Sequence, residues 1–98
     1  MEAIEVFIFD KHSLIVVGEN EIQIWSMDDF TLVRRIAISG IVAAEMFKNR
    51  LMLSCVPKGL YSLDLTNQES VPKLFESGIF FKVKQSPCSR FWVAGGFP

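Results

Sequence analysis

Ser39-Gly40-Ile41-Val42-Ala43-Ala44-Glu45-Met46-Phe47 opens with a tripeptide that returns in Ser77-Gly78-Ile79-Phe80-Phe81-Lys82-Val83, 38 positions later (77 − 39 = 38). In both places the Ser-Gly pair stands in front of a short apolar run. Three residues in common do not make a repeat, but the offset recurs along the chain. At the same 38-residue step Ile22 falls on Leu60, Trp25 on Leu63, Ser26 on Asp64, Val33 on Val71 and Ile36 on Leu74. Leu14 falls on Leu51 after 37 residues (51 − 14 = 37), and Arg50-Leu51 on Arg90-Phe91 after 40 (90 − 50 = 40). These slips fall in turns, where insertions cost little. Residue class is kept throughout, and the chain reads as a repeat.

The repeating unit is made of strands. Apolar residues come in short runs rich in Val, Ile, Leu and Phe, broken by turn residues, which is the pattern of β-structure. Four strands are predicted over 4–9, 14–18, 21–26 and 31–38, then four more over 41–47, 51–55, 60–65 and 70–76. A third start follows at 79–85 and 90–95. The breaks are short and rich in Asp, Asn, Ser, Gly and Pro, so each group is expected to be an antiparallel meander. The expected units are residues 1–40, 41–78 and the beginning of a third at 79–98, with no helix.

Composition narrows the function. Of 98 residues, 50% are hydrophobic and 21% charged, which suits a packed domain rather than a disordered segment. Ten Lys and Arg against eleven Asp and Glu leave a net charge of −1, which offers no electrostatic footprint for nucleic acid. No apolar run has the length of a membrane span, and Met1–Ser13 lacks the layout of a signal peptide, so the expected location is intracellular, in cytoplasm or nucleus. Cys55 and Cys88 occupy non-equivalent places in the repeat and are expected to be reduced thiols. With His12 the sole histidine, no zinc site and no cofactor is expected.

Four strands per unit at a period near 38 is the pattern of a β-propeller blade. The stretch LIVVGENEIQIWSMDDFTLVRRI (14–36) resembles a WD40 repeat from its second strand onward, with Trp25-Ser26 where that family closes its third strand on Trp-Asp. VKQSPCSRFWVAGG (83–96) resembles the opening of such a blade, with its Ser-Pro turn. Ser39-Gly40 and Ser77-Gly78 stand where the family has Gly-His, and Leu63-Asp64 keeps only the Asp of the pair. The resemblance implies degenerate blades of a WD40-like propeller, incomplete in this chain. The remaining strands would come from a longer chain, a partner or further copies; a small self-contained sandwich is the other reading. Gly95-Gly96 makes a kelch-type propeller adaptor the nearest rival.

Function is sought at the turns. Asp10, His12 and Ser13 are the residue types of a hydrolase triad, but they crowd into one hairpin where they cannot form an ordered nucleophile, base and orienter, and no enzyme is expected. Arg34-Arg35 is similar to the paired arginines of phosphoinositide-binding propellers, although strand alternation puts the two on opposite faces. Lipid-headgroup or small-ligand binding is the alternative function. Trp25 and Trp92 lie inside apolar strands and are expected to pack there. The resemblance implies a partner-binding face made of the turns at one end: Glu19 and Asn20, Ser39 and Gly40, Pro57 and Lys58, Ser77 and Gly78. The function expected is a non-catalytic protein–protein interaction scaffold, whose partners are other proteins, including missing blades or copies of itself.

Overall fold

A computed structural model describes the backbone of residues 2–85 and 92–96 and the side chains of residues 2–79. The strands are β1 (Ala3–Asp10), β2 (Ser13–Gly18), β3 (Glu21–Ser26), β4 (Leu32–Ala37), β5 (Ile41–Phe47), β6 (Arg50–Cys55), β7 (Gly59–Asp64), β8 (Lys73–Ser77), β9 (Phe80–Gln85) and β10 (Trp92–Gly96). No helix occurs among the described residues. The protein is all-β. Strands β1 to β4 form one antiparallel sheet in sequence order, β5 to β8 form a second in the same order, and β9 pairs with β10.

Only β3 and β5 match the expected bounds; the other strands differ by one to three residues, and two of the differences have a visible cause. The fourth begins at Leu32 rather than at 31, because the Thr31 carbonyl closes the preceding turn by accepting from the Ser26 amide at 2.8 Å. The eighth runs Lys73–Ser77 rather than 70–76. Pro72 has no N–H to give a ladder, and Ser70 is held in the turn by its hydroxyl, which donates to the Asp64 carbonyl at 2.6 Å. Ser77, expected in a turn, is the last residue of β8 and pairs with Gly59, itself the first residue of β7.

The two sheets stack. Ile15, Val17, Ile22 and Ile36 from the first sheet meet Ile41, Leu51, Leu53, Cys55 and Leu63 from the second in one buried cluster, with Phe7, Phe9, Ile24, Ala44, Met46 and Tyr61 packed around it. A buried aliphatic side chain of this size contributes about 1.5–3 kcal/mol, so the sheets hold each other through apolar contact. β6 is buried on both faces. Leu51, Leu53 and Cys55 point to the first sheet, while Met52 and Ser54, on the alternate face, are also buried. Strand β9 runs beside β5 and β6. The order of stacking is therefore first sheet, second sheet, β9–β10 pair.

The units also repeat in detail. The Met27 amide donates to the His12 carbonyl at 2.8 Å, and the Leu65 amide to the Asn49 carbonyl at 2.8 Å. Ser26 Oγ accepts from the Asp28 amide at 3.2 Å, and Asp64 Oδ1 from the Thr66 amide at 3.0 Å. Ser and Asp perform the same turn-closing task in the two units, since either oxygen can accept from an amide two residues on.

Candidate functional site

Four connections meet at one end of the stacked sheets. Glu19 and Asn20 join β2 to β3, Ser39 and Gly40 join β4 to β5, Pro57 and Lys58 lie between β6 and β7, and Gly78 follows β8. Backbone bonds tie these turns together: the Ile38 amide donates to the Asn20 carbonyl (3.1 Å), the Ile41 amide to the Glu19 carbonyl (2.9 Å), the Val56 amide to the Gly40 carbonyl (2.9 Å) and the Gly78 amide to the Lys58 carbonyl (3.5 Å). Lys58 Nζ donates to Ser39 Oγ at 3.4 Å. The eight candidate residues thus share one rim, Ser77 from a strand end. Apart from the half-buried Gly40, they are exposed.

Glycine is needed where the rim turns. Gly40 has φ +81°, Gly78 has φ +138°, and a Cβ on Gly40 would run into the Val56 carbonyl. Those dihedrals belong to residues without a Cβ. The repeated Ser-Gly pair therefore marks the two places where the chain leaves one sheet for the next. Beside the rim, a hollow of about 480 Å³ is lined by Glu2, Glu19, Asn20, Glu21, Arg35 and Ala37. Carboxylates, an amide, a hydroxyl and the Lys58 ammonium give this end both donors and acceptors on a frame of strands.

The other candidates are engaged in local bonds. Asp10 accepts from the His12 backbone amide at 2.8 Å, not from the ring. The ring Nδ1 lies 3.0 Å from both oxygens of Asp28, a residue of the neighbouring turn. That hydrogen bond, and then the carboxylate's charge, hold the His12 pKa above its ordinary value. Arg34 and Arg35 separate as strand alternation requires: Arg34 Nη2 donates to the Ser70 carbonyl in the connection from β7 to β8, and Arg35 Nε pairs with Glu21 Oε2 at 2.9 Å. Asp28 and Asp29 stand in the turn between β3 and β4, where Asp29 accepts from the Thr31 hydroxyl at 2.7 Å, the main reason its pKa is lowered. A cavity of about 450 Å³ opens between the sheets at the end opposite the rim, lined in part by His12, Asp28, Arg34, Leu63 and Asn67. Its arginine is already committed to Ser70.

Cys55 is a free thiol, wholly buried, and burial pushes its pKa up to about 11. Cys88, with Ser86, Pro87, Arg90 and Phe91, lies outside the described residues, as does the side chain of Trp92. Among the described residues, no group of three His, Cys, Asp or Glu side chains could hold a metal ion, and no helix is long and apolar enough to cross a membrane.

One arrangement was not foreseen from the sequence. Trp25 Nε1 donates to Gln23 Oε1 at 2.9 Å, Gln23 Nε2 to Glu21 Oε1 at 3.3 Å, and Glu21 holds Arg35, so alternate residues of β3 form a polar ladder. The ladder stands on the face of the first sheet that points away from the second. The signal was present in the two-residue spacing of Glu21, Gln23 and Trp25, which puts them on one side of a strand. No family model, curated protein or solved structure matches the chain.

Proposed function

We propose that this protein is a non-catalytic protein–protein interaction scaffold, built of WD40-like propeller blades and working as part of a larger assembly. The observation that carries the reading is the rim: four turns brought to one end, tied by backbone hydrogen bonds, with exposed polar side chains. Loops held by rigid strands are where binding residues concentrate. Successive stacking of four-stranded meanders at a 38-residue step supports the propeller reading. The partners are other proteins, met at Glu19, Asn20, Ser39, Gly40, Pro57, Lys58, Ser77 and Gly78, and the setting is the cytoplasm or nucleus. Arg34 and Arg35 face opposite ways, so they give phosphoinositide binding no paired grip.

The test is a photo-cross-linking residue placed at Lys58 on the rim and, as control, at Lys48 in the turn between β5 and β6. Illumination in cells should give a discrete heavier protein adduct from position 58 and none from position 48. Equal labelling from both positions, or none from either, refutes the rim as the binding face.

A further inference from the structure

The cavity of about 450 Å³ at the end of the sheets opposite the rim has the size that takes one small molecule. Its buried part is apolar. Ile15 and Leu63, both completely buried, line it from the two sheets, and Ile24 and Leu65 continue the apolar wall. Polar side chains surround this wall, and the acids among them already have donors. Asp28 holds the His12 ring at 3.0 Å, and Asp64 Oδ1 accepts from the Thr66 amide at 3.0 Å and from the Thr66 hydroxyl at 2.7 Å.

Arg34, on β4, is the exception. Its Nη2 donates to the Ser70 carbonyl, which carries no charge, and among the described residues no carboxylate pairs with its half-buried guanidinium. A guanidinium presents several N–H donors in one plane and stays charged at any physiological pH, so a single carbonyl leaves most of its donors and all of its charge unanswered. Asn67, in the turn after β7, accepts from the Glu69 amide through Oδ1 at 2.9 Å, which leaves its Nδ2 group to donate elsewhere. An apolar depth, a cation without a counter-charge and an amide donor are together the complement of a hydrocarbon with an acid group.

We propose that this cavity binds a small apolar molecule bearing a carboxylate, its hydrocarbon body against Ile15, Ile24 and Leu63 and its carboxylate on Arg34 and Asn67. Burial of the hydrocarbon supplies the affinity, and the planar guanidinium sets the sign of the charge and the orientation. The site shares no residue with the rim and lies at the other end of the sheets, so it is a binding function additional to the protein-binding one.

The experiment is an amide NMR titration of the chain with 4-phenylbutyrate and with octanoate. At least one acid should saturate with a Kd below about 1 mM, shifting amides of residues 26–34 and 63–68 and leaving Glu19, Asn20 and Lys58 in place. The neutral and cationic counterparts, 4-phenylbutyramide and 4-phenylbutylamine, should bind at least about tenfold more weakly than 4-phenylbutyrate. Arg34→Met should raise Kd at least about tenfold, whereas Arg35→Met, whose side chain pairs with Glu21 instead, should leave it unchanged. Circular dichroism checks the fold of each variant. If Arg34→Met does not fold, Asn67→Asp reads the same site: it keeps the acceptor for the Glu69 amide, sets a negative charge against the carboxylate and should give the same loss. Failure of both acids to saturate with a Kd below about 1 mM overturns the proposal. So does an amide or amine that binds as tightly as the acid, a Kd that the folded site variant leaves unchanged, or one that Arg35→Met raises equally.

Discussion

Gly40 is the position where a single methyl group should cost most. Its φ of +81° lies in the left-handed region, and a Cβ there would meet the Val56 carbonyl, which is backbone and cannot swing aside. An alanine forced to keep this φ costs about 1–2 kcal/mol in backbone sterics. Relief of the clash moves Gly40 away from Val56, which breaks the 2.9 Å bond from the Val56 amide and loosens the adjacent bond from Ile41 to Glu19. One such half-buried bond lost adds about 0.5–1.5 kcal/mol. Gly40→Ala should thus destabilise the protein by about 1.5–3.5 kcal/mol, a large share of the roughly 5–15 kcal/mol that holds a domain of this size. In a thermal melt followed by circular dichroism, at about 4–8 °C per kcal/mol, that is a fall in Tm of about 6–28 °C. Ser39→Ala, one residue away and exposed, should move stability by less than about 0.5 kcal/mol. A Gly40→Ala protein that melts within about 4 °C of its parent would refute the argument that this turn couples the sheets.

Three further outcomes follow from the same structure. Arg34→Ala removes a charged donor from the Ser70 carbonyl across the two sheets and should cost about 2 kcal/mol in urea unfolding, whereas Arg35→Ala, which loses a largely exposed ion pair with Glu21, should cost under about 1 kcal/mol; equal losses would count against the inter-sheet role of Arg34. In a Cys88→Ser background, Cys55 should resist a thiol reagent at pH 8 until the chain is unfolded, and because its folded pKa is raised from 9.0 to about 11, the stability it shares in is intact below pH 9 and falls as pH rises from 9 towards 11. NMR titration of His12 should give a pKa above 6.5 that returns towards it in Asp28→Asn; with a raised folded pKa, the pair's contribution is present below 6.5 and lost as pH rises through the raised value.

Much of the fold was legible because strands and turns were written in different residues. The run of Val, Ile, Leu and Phe between Asp-, Asn- and Gly-rich breaks places every strand within about three residues of its observed start, an ordinary error for element boundaries. The larger slip, at β8, came from treating Ser70 and Val71 as apolar-strand residues when a tertiary bond from Arg34 and a bond from Ser70 to Asp64 claim that segment. The rim was legible as a set of turns, since glycine at positive φ explains the repeated Ser-Gly pair. Burial was not. β1 reads as apolar as β5, yet Ile4, Val6 and Ile8 are exposed while Ile41 is buried, because β5 lies in a sheet covered on both faces and β1 does not. Composition tells a strand that it can be buried; only the order of stacking says which face is.

The two sheets differ in one respect that bears on how the protein stays folded while the first of them exposes apolar side chains. In the second sheet the places equivalent to Glu21, Gln23 and Trp25 are Gly59, which abuts the backbone of β8, and Tyr61 and Leu63, which pack in the cluster between the sheets. In the first sheet those places carry the ladder from Trp25 through Gln23 and Glu21 to Arg35. The ladder satisfies the indole N–H and the amide without solvent, so a sheet laid over Trp25 need not supply partners for them. Its charged end at Glu21 and Arg35 would be costly to bury without its partner. The surface is therefore graded along β3: the Trp25 end, with Ile8, Leu14 and Phe30, is apolar, while the Glu21 end is charged and lies beside the rim.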